Sequence, residues 1–124
     1  MEENKYCEIC GEPGEKHHIV FRGKCAAMIN AKINYKYLCG EHHRTGKEAP
    51  HNNRQVDIKY KLELQKKLFQ MFSNNYYHKT EIAELLEIKP KEVDQFAKTL
   101  MWYSEGYKSL DIVIKCMGGG LYAK

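Results

Sequence analysis

Two short motifs of cysteine and histidine could bind a metal ion. The first is the C-x-x-C motif from Cys7 to Cys10, and the second is the C-x-x-H motif from Cys39 to His42. Structural zinc takes four thiolate or imidazole ligands in a tetrahedron, and the two motifs together supply four. A redox dithiol at Cys7 and Cys10 is the alternative, but no βαβ pattern surrounds it. We therefore predict a structural Zn²⁺ that holds together a segment poor in large apolar side chains.

Further histidines remain once His42 is assigned to zinc, namely His17, His18, His43 and His51. A lone histidine is more often a surface or core residue, but four in one small region favour a second, catalytic metal. Basic residues flank them and are candidates for phosphate contacts, although each taken singly could equally be an ordinary surface charge. These candidates are Arg22, Lys24, Arg44, Lys47 and Arg54.

The composition indicates one ordinary globular domain or two very small ones. The chain has 124 residues, of which 29% are charged and 43% hydrophobic, so the composition argues against wholesale disorder. The net charge of +4 is mild and does not by itself indicate nucleic acid. Residues 52–78 hold five basic and two acidic side chains, a net +3, so most of the excess lies in this middle segment.

The cysteines and the hydropathy predict a soluble, cytoplasmic protein with reduced thiols. The five cysteines are an odd number, so they cannot all pair within one chain. The N-terminus lacks a signal-peptide pattern, and no apolar run is long enough to span a bilayer. Cys25 and Cys116 have no partner motif, and we expect both to be buried or inert thiols.

Short elements are expected to position the candidate ligands. We predict strands at His18–Phe21 and Tyr35–Leu38, and a short helix over residues 41–48. Residues 22–33 are compatible with either a loop or a short helix. The second metal motif would then follow a strand and open a helix, which is a common way to make ligands converge.

A long amphipathic helix is predicted after Pro50. Asn52 or Asn53 is a suitable N-cap, and apolar residues recur every four positions from Val56 to Phe72, over about five turns. The other face carries basic residues, and the simplest interpretation is that they point into solvent. We favour this interpretation for Lys66 and Lys67. The basic residues of this face are Arg54, Lys59, Lys61, Lys66 and Lys67.

The C-terminal segment is similar to a winged helix-turn-helix. We predict a helix over residues 79–86 capped by Thr80, a second helix over 91–103, and a strand-like hairpin over 109–122, with the long helix as the first element. Residues 79–124 hold seven basic and seven acidic side chains, a net charge of zero. DNA contact and a compact packing or dimerisation module are therefore equally supported.

The N-terminal third resembles the HNH endonucleases of the ββα-metal fold, in particular small members encoded by phages and prophages. The resemblance covers residues 7–51 and rests on four pieces of sequence. They are Cys7-Glu8-Ile9-Cys10, His17-His18-Ile19-Val20, Asn34, and Leu38-Cys39-Gly40-Glu41-His42-His43.

This resemblance implies roles for the histidine region. His18 stands where the family has its general base, and Asn34 where it has the asparagine that fixes the loop and orients that base. His17 and His43 match ligands of the catalytic metal. His51 has no clear family counterpart, and we expect a metal ligand or phosphate contact there in preference to a helix cap.

The resemblance also bears on the zinc site. Cys7, Cys10, Cys39 and His42 match the structural zinc set, with histidine where many members carry cysteine. One departure is Lys47, which stands where some members have a further ligand for the catalytic metal.

Together these observations predict an α+β fold, with a zinc-stapled ββα-metal module in residues 1–54 and a long helix plus winged-helix-like module in residues 55–124. The resemblance to HNH endonucleases implies metal-dependent hydrolysis of DNA phosphodiester bonds, leaving 5′-phosphate and 3′-hydroxyl ends. Mg²⁺, Mn²⁺, Ni²⁺ or Zn²⁺ could serve as catalytic cation. The expected partner is double-stranded DNA. The sequence does not decide between a monomer and a homodimer. The alternatives are a non-catalytic, zinc-containing DNA-binding regulator and a protein-interaction module.

Overall fold

The computed structural model describes residues 5–123, which form a mixed α+β fold with two small antiparallel sheets. In the first sheet β1 (Glu15–His18) pairs with β2 (Tyr35–Leu38), in a register that joins Glu15 to Leu38 and His18 to Tyr35. The second sheet has the strand order β3-β5-β4. Its strands are β3 (Tyr76–Tyr77), β4 (Trp102–Tyr103) and β5 (Gly106–Lys108).

A buried asparagine organises the connection between β1 and β2. Asn34 is fully buried, and its side-chain oxygen accepts a hydrogen bond from the backbone N–H of Val20 at 2.7 Å. Its amide nitrogen donates to the carbonyls of Val20 and Met28 at 3.0 and 2.9 Å. These three bonds satisfy backbone groups in a region that contains only two short 3₁₀ turns, Ala26–Ile29 and Lys32–Asn34.

The first strand lies earlier than the sequence predicts. Pairing with Tyr35–Leu38 confines β1 to Glu15–His18, so the predicted strand His18–Phe21 is wrong beyond its first residue. After His18 the chain leaves the sheet, because the backbone N–H groups of Ile19 and Val20 bond to the main chain and side chain of Asn34.

A short π-helical turn, Glu41–Thr45, follows β2 in place of the predicted helix over residues 41–48. It ends where the N–H of Gly46 donates to the carbonyl of Glu41 at 2.7 Å. A Cβ atom at Gly46 would lie 2.6 Å from that carbonyl oxygen, so only glycine permits this close return of the chain.

The long helix α1 (Arg54–Met71) confirms the predicted amphipathic helix. The side chain of Asn53 caps it by accepting from the N–H groups of Gln55 and Val56 at 3.0 and 3.2 Å. Tyr60, Leu64 and Leu68 form its buried stripe. One prediction for this helix is wrong, because Lys61 is only 6% exposed instead of lying on a solvated face.

The C-terminal segment contains three further helices, α2 (Lys79–Leu86), α3 (Pro90–Ala97) and α4 (Ser109–Cys116). The cap of α2 is His78 and not Thr80, and the backbone N–H of His78 donates to Glu81 at 2.9 Å. The predicted hairpin over residues 109–122 is wrong, because residues 109–116 form a helix. β-Branched residues favoured a strand there, but burial of Ile112, Val113 and Cys116 follows a helical period.

The true hairpin is formed by β4 and β5, so the predicted helix over residues 91–103 is too long. Trp102 pairs with Tyr107, and Tyr103 pairs with Gly106. Gly106 has a φ of 127°, and a Cβ atom there would lie 2.7 Å from the carbonyl oxygen of Tyr77 on the neighbouring strand. This turn therefore requires glycine.

One hydrophobic core extends through both parts of the chain. It includes Met28 and Leu38 from the N-terminal part and Leu64, Ile82 and Ile112 from the rest. A polar contact also joins the parts, because the side-chain amide of Asn30 donates to Glu92 on α3 at 2.9 Å. Among the helices of residues 5–123, none combines the length and apolar character needed to cross a membrane.

Glu87 offers a test of the turn between α2 and α3. It adopts the left-handed conformation with φ 55° and ψ 44°, which costs a residue with a Cβ atom about 1 kcal/mol. We expect Glu87→Gly to raise the free energy of unfolding by up to about 1 kcal/mol. Urea denaturation measures it. As a control, Glu84→Gly inside α2 should lower stability by about 1 kcal/mol, and equal effects of the two variants would contradict the assigned turn.

Candidate metal centres

Cys7, Cys10, Cys39 and His42, here called the cysteine cluster, converge in a way that could hold a structural metal such as zinc. The Sγ atoms of Cys10 and Cys39 are 3.7 Å apart, and Nδ1 of His42 lies 3.6 Å from Sγ of Cys7 and 3.3 Å from Sγ of Cys39. Tetrahedral zinc with ordinary bond lengths separates two sulfurs by about 3.8 Å and a sulfur and a nitrogen by about 3.6 Å. The spacing therefore suits one tetrahedral ion.

The cysteine cluster forms because the loop with Cys7 and Cys10 is fastened to β2. The backbone N–H of Glu8 donates to the carbonyl of Tyr37 at 2.9 Å, and the carboxylate of Glu8 accepts from the N–H of Tyr37 at 3.0 Å. Cys39 follows β2 directly, and His42 lies on the π-helical turn. The two motifs thus meet at one end of the first sheet.

Local backbone groups favour ionised sulfur at Cys7, whereas the pKa of the Cys10 thiol is raised. Burial raises the pKa of the Cys7 thiol, but hydrogen bonds from the backbone of Cys39, Cys10 and Ile9 outweigh it and lower that pKa to about 6. The N–H of Ile9 lies 3.4 Å from Sγ of Cys7, and the N–H of His42 lies 3.5 Å from Sγ of Cys39. Thiolates are the form that binds zinc.

His17, His43 and His51, here called the histidine cluster, form a second group that could hold a metal ion. One ring nitrogen of each lies within 4.8 Å of the others, and the Nε2 atoms of His43 and His51 are 3.1 Å apart. Nε2 of His17 is buried and has no hydrogen-bond partner in the described residues. A buried nitrogen left without a partner is costly, and a metal ion would satisfy it. The residues present therefore fit a cation.

Glu15 orients one ring of the histidine cluster, and sequence reasoning missed it. Its carboxylate lies 2.5 Å from Nδ1 of His43, so Nδ1 donates to it and Nε2 is the nitrogen that faces the cluster. Glu15 and His17 are two residues apart on β1 and therefore share one face of the strand. The alternation of side chains along β1 could have predicted that Glu15 lies beside His17.

The surroundings favour the neutral form of the His17 and His51 rings. Burial, followed by the charges of His43 and His51, lowers the pKa of His17 to about 3. Burial is also the main cause that lowers the pKa of His51, with smaller contributions from His43 and Arg44. Neutral imidazole is the form that ligates a metal.

His18 lies beside the histidine cluster without joining it. Its Nε2 donates to the carbonyl of Ile29 at 3.0 Å, which leaves the lone pair on Nδ1. Burial lowers its pKa; the bond to Ile29 opposes this, while Arg22 and Lys16 add to it. Asn34 donates to the carbonyl of Met28 and so fixes the loop that holds His18, and among the described residues its side chain makes no hydrogen bond to the His18 ring.

The histidine cluster and His18 line one cleft of about 730 Å³, here called the histidine cleft. Among the predicted phosphate contacts, Arg22 and Arg44 line it, and Lys16 is a further basic residue there that was not predicted. Lys24 lines a different pocket, beside Gly118. Lys47 and Arg54 are exposed and do not line the cleft.

The two remaining cysteines are buried, as expected. Burial raises the pKa of the Cys25 thiol and raises that of Cys116 far more, because Cys116 is fully enclosed by the core. Neither belongs to a group that could hold a metal among the described residues. Both are inert core thiols.

The cysteine cluster is tested by metal content. We expect Cys39→Ala to lose one equivalent of zinc per chain and to melt at a lower temperature, because metal binding free energy contributes to folding. Elemental analysis and thermal unfolding measure this. Cys25→Ala, which alters a buried cysteine outside the cluster, should keep its zinc. Wild-type zinc content in Cys39→Ala would show that the cluster is not the zinc site.

Comparisons with known proteins leave the family open, since no protein-family model matches the chain and searches of curated proteins and of solved structures gave no significant match.

Proposed function

We propose that this chain is a metal-dependent endonuclease of the HNH type that hydrolyses phosphodiester bonds in double-stranded DNA. The observation that carries the proposal is the convergence of three histidines and a fourth, separately held histidine in one cleft lined by basic residues. A zinc-binding regulator needs the cysteine cluster but has no use for this second arrangement. The sequence resemblance to HNH nucleases supports the same conclusion.

His18 is the proposed general base. Its Nδ1 accepts a proton from a water molecule while the water oxygen bonds to phosphorus and the bond from phosphorus to the 3′ oxygen breaks. The departing 3′ oxygen takes a proton from solvent, which gives 5′-phosphate and 3′-hydroxyl ends. The carbonyl of Ile29 holds the other ring nitrogen and fixes the tautomer that this step requires.

His17, His43 and His51 are the proposed ligands of one divalent cation. When bound, Mg²⁺, Mn²⁺, Ni²⁺ or Zn²⁺ would stabilise the negative charge that develops on the phosphate and on the leaving oxygen. Glu15 supports this role by holding Nδ1 of His43, which directs Nε2 towards the ion. Ligands drawn only from imidazole favour the later transition metals.

Arg22, Arg44 and Lys16 are the proposed contacts to the DNA backbone near the scissile phosphate, because they line the histidine cleft. Such contacts position DNA without reading its sequence. Lys47 and Arg54 lie outside the cleft and would contact phosphates further along the duplex. Each chain has one histidine cleft in residues 5–123, so a monomer would nick, and cutting both strands would need a dimer or two visits.

The C-terminal part supports a second contact to DNA. Its elements run helix α1, strand β3, helices α2 and α3, then the hairpin β4–β5, with β3 paired to β5. This order is similar to a winged helix, in which α3 would be the recognition helix and residues 104–105 the tip of the wing. The acidic residues Glu92 and Asp94 on α3 oppose this role, so we assign the main binding energy to the cleft.

Plasmid cleavage tests the nuclease proposal. We expect purified chain to nick supercoiled plasmid in the presence of one of the four cations, and His18→Ala to slow the reaction by about 10² to 10⁴-fold, because the general base is lost. Gel conversion of supercoiled to open circular DNA measures the rate. His78→Ala, on the cap of α2 outside the cleft, is the control and should cleave at the wild-type rate.

The competing function predicts a different result. If wild type binds plasmid in a salt-dependent manner but cleaves with none of the four cations, the chain is a DNA-binding regulator. If it neither binds nor cleaves, it is a protein-interaction module.

The basic lining of the cleft is tested by the salt dependence of DNA binding. We expect Arg22→Ala and Arg44→Ala each to reduce the slope of log K against log salt concentration by about 0.9, because each removes one phosphate contact. Fluorescence anisotropy with a labelled duplex at several salt concentrations measures the slope. Lys66→Ala, which changes an exposed lysine on α1, should leave the slope unaltered; an equal change in all three variants refutes the assignment.

A further inference from the structure

His51 is the ligand of the histidine cluster with the least direct support. His17 is 2% exposed on a strand, and His43 is 3% exposed and bonded to Glu15. His51 lies on an exposed loop before α1, and its Nε2 bonds only to His43 among the contacts of the described residues. Its ring is held against Phe21, at a centroid distance of 5.8 Å and an interplanar angle of 12°. Phe21 also meets His17 edge-on at 6.2 Å.

Phe21 in turn is held by a buried cation. Nζ of Lys61 lies 4.1 Å from the centre of the Phe21 ring, a distance typical of a cation–π contact. Lys61 is 6% exposed, which is rare for a lysine, and its charge also faces the Tyr122 ring at 5.5 Å. Cation–π contacts strengthen when the cation is desolvated, as it is here.

Lys61 has little freedom to move away from Phe21. Its Nζ donates to Oδ2 of Asp57, one helical turn earlier on α1, at 2.6 Å. On its other side, Tyr122 is fastened by two hydrogen bonds between its backbone and the Gln65 side chain, at 2.8 and 3.1 Å. The lysine is therefore fixed by Asp57 on its own helix and by Tyr122 in the C-terminal segment.

We propose that Lys61 is a positioning residue for the metal ion of the histidine cluster, acting on His51 through Phe21. The inference rests on the proposed metal site. Lys61 is too deeply buried to contact DNA, and its cation–π contact with Phe21 joins it to the ring that packs against His51. Its charge also makes a minor contribution to the lowered pKa of His17, which the Asp57/Lys61 exchange removes together with the contact. By fixing that ring, Lys61 holds the exposed imidazole of His51 ready to bind, so less ordering is required when metal arrives.

The obvious variant, Lys61→Met, leaves the half-buried carboxylate of Asp57 without its partner and could unfold the chain. The test therefore uses the double variant Asp57→Leu/Lys61→Met, in which apolar side chains of similar size replace the whole ion pair. The matched control is Glu63→Leu/Lys67→Met, which also replaces an acidic and a basic residue by Leu and Met, at the same spacing, on an exposed part of α1. Lys61→Arg tests whether a conservative cation preserves the effect.

The readout is metal affinity and not cleavage. Zinc-loaded protein is titrated with Co²⁺, whose visible absorption in an all-nitrogen site lacks the thiolate charge-transfer bands of the cysteine cluster. We expect the Asp57/Lys61 double variant to bind Co²⁺ at least tenfold more weakly than wild type, with unchanged zinc content and cooperative unfolding. The Glu63/Lys67 control should bind like wild type, and Lys61→Arg should lie within threefold of it.

Two results would overturn the proposal, and they are distinguishable. Wild-type Co²⁺ affinity in the folded Asp57/Lys61 double variant removes the role of Lys61 and leaves the metal site intact. Failure of wild type itself to bind Co²⁺ outside the cysteine cluster removes the metal site and the positioning role together.

A thermodynamic cycle tests the route through Phe21. Phe21→Leu should weaken Co²⁺ binding to a similar extent, and combining it with Asp57→Leu/Lys61→Met should add little further loss, because both changes interrupt one chain of contacts. Full additivity of the two losses contradicts transmission through the ring.

Discussion

The convergence of the cysteine cluster is the constraint on which the N-terminal half depends. Strands β1 and β2 are only four residues each, and the connection between them is largely irregular. Such a segment buries too little apolar surface to hold a defined shape by itself, and metal binding can supply the free energy of folding that the core lacks. The loop of Cys7 and Cys10, the end of β2 and the π-helical turn all meet at this point. The position of His43 is therefore set by four side chains that take no part in the proposed reaction.

The histidine cluster depends on a different kind of support for each ring. His17 is fixed by the sheet and by burial, His43 by the carboxylate of Glu15, and His51 by the ring of Phe21. The last support reaches into α1 and the C-terminal segment, because Lys61 and Tyr122 belong to them. The second half of the chain is thus more than an appended module, since its Lys61 packs behind Phe21 in the wall of the cleft, and it also shares its core with the first half.

The sequence predicted the parts of the molecule that local chemistry determines. Ligand spacing identified the cysteine cluster, the strand Tyr35–Leu38 came from alternation, and the period of four identified α1. Properties decided by tertiary contacts were missed. Lys61 looked like a solvent-facing lysine because its partners are 40 and 61 residues away, at Phe21 and Tyr122. Residues 109–116 carry strand-forming side chains but pack as a helix, since the fold offers them a buried helical face. The roles assigned from the HNH resemblance stay predictions.

The consecutive histidines of the π-helical turn have a consequence for how this chain can evolve. His42 faces the cysteine cluster and His43 faces the histidine cluster, so a single peptide bond separates the two centres. An insertion or deletion between Cys39 and His43 would rotate one imidazole out of its cluster, and no compensating substitution elsewhere could return both. The loop that carries His51 is fixed in a different way, because the side chain of Asn52 donates to the carbonyls of Arg44 and Gly46 and that of Asn53 donates to the carbonyl of Lys47. Relatives of this chain should therefore keep a fixed length from Cys39 to His43.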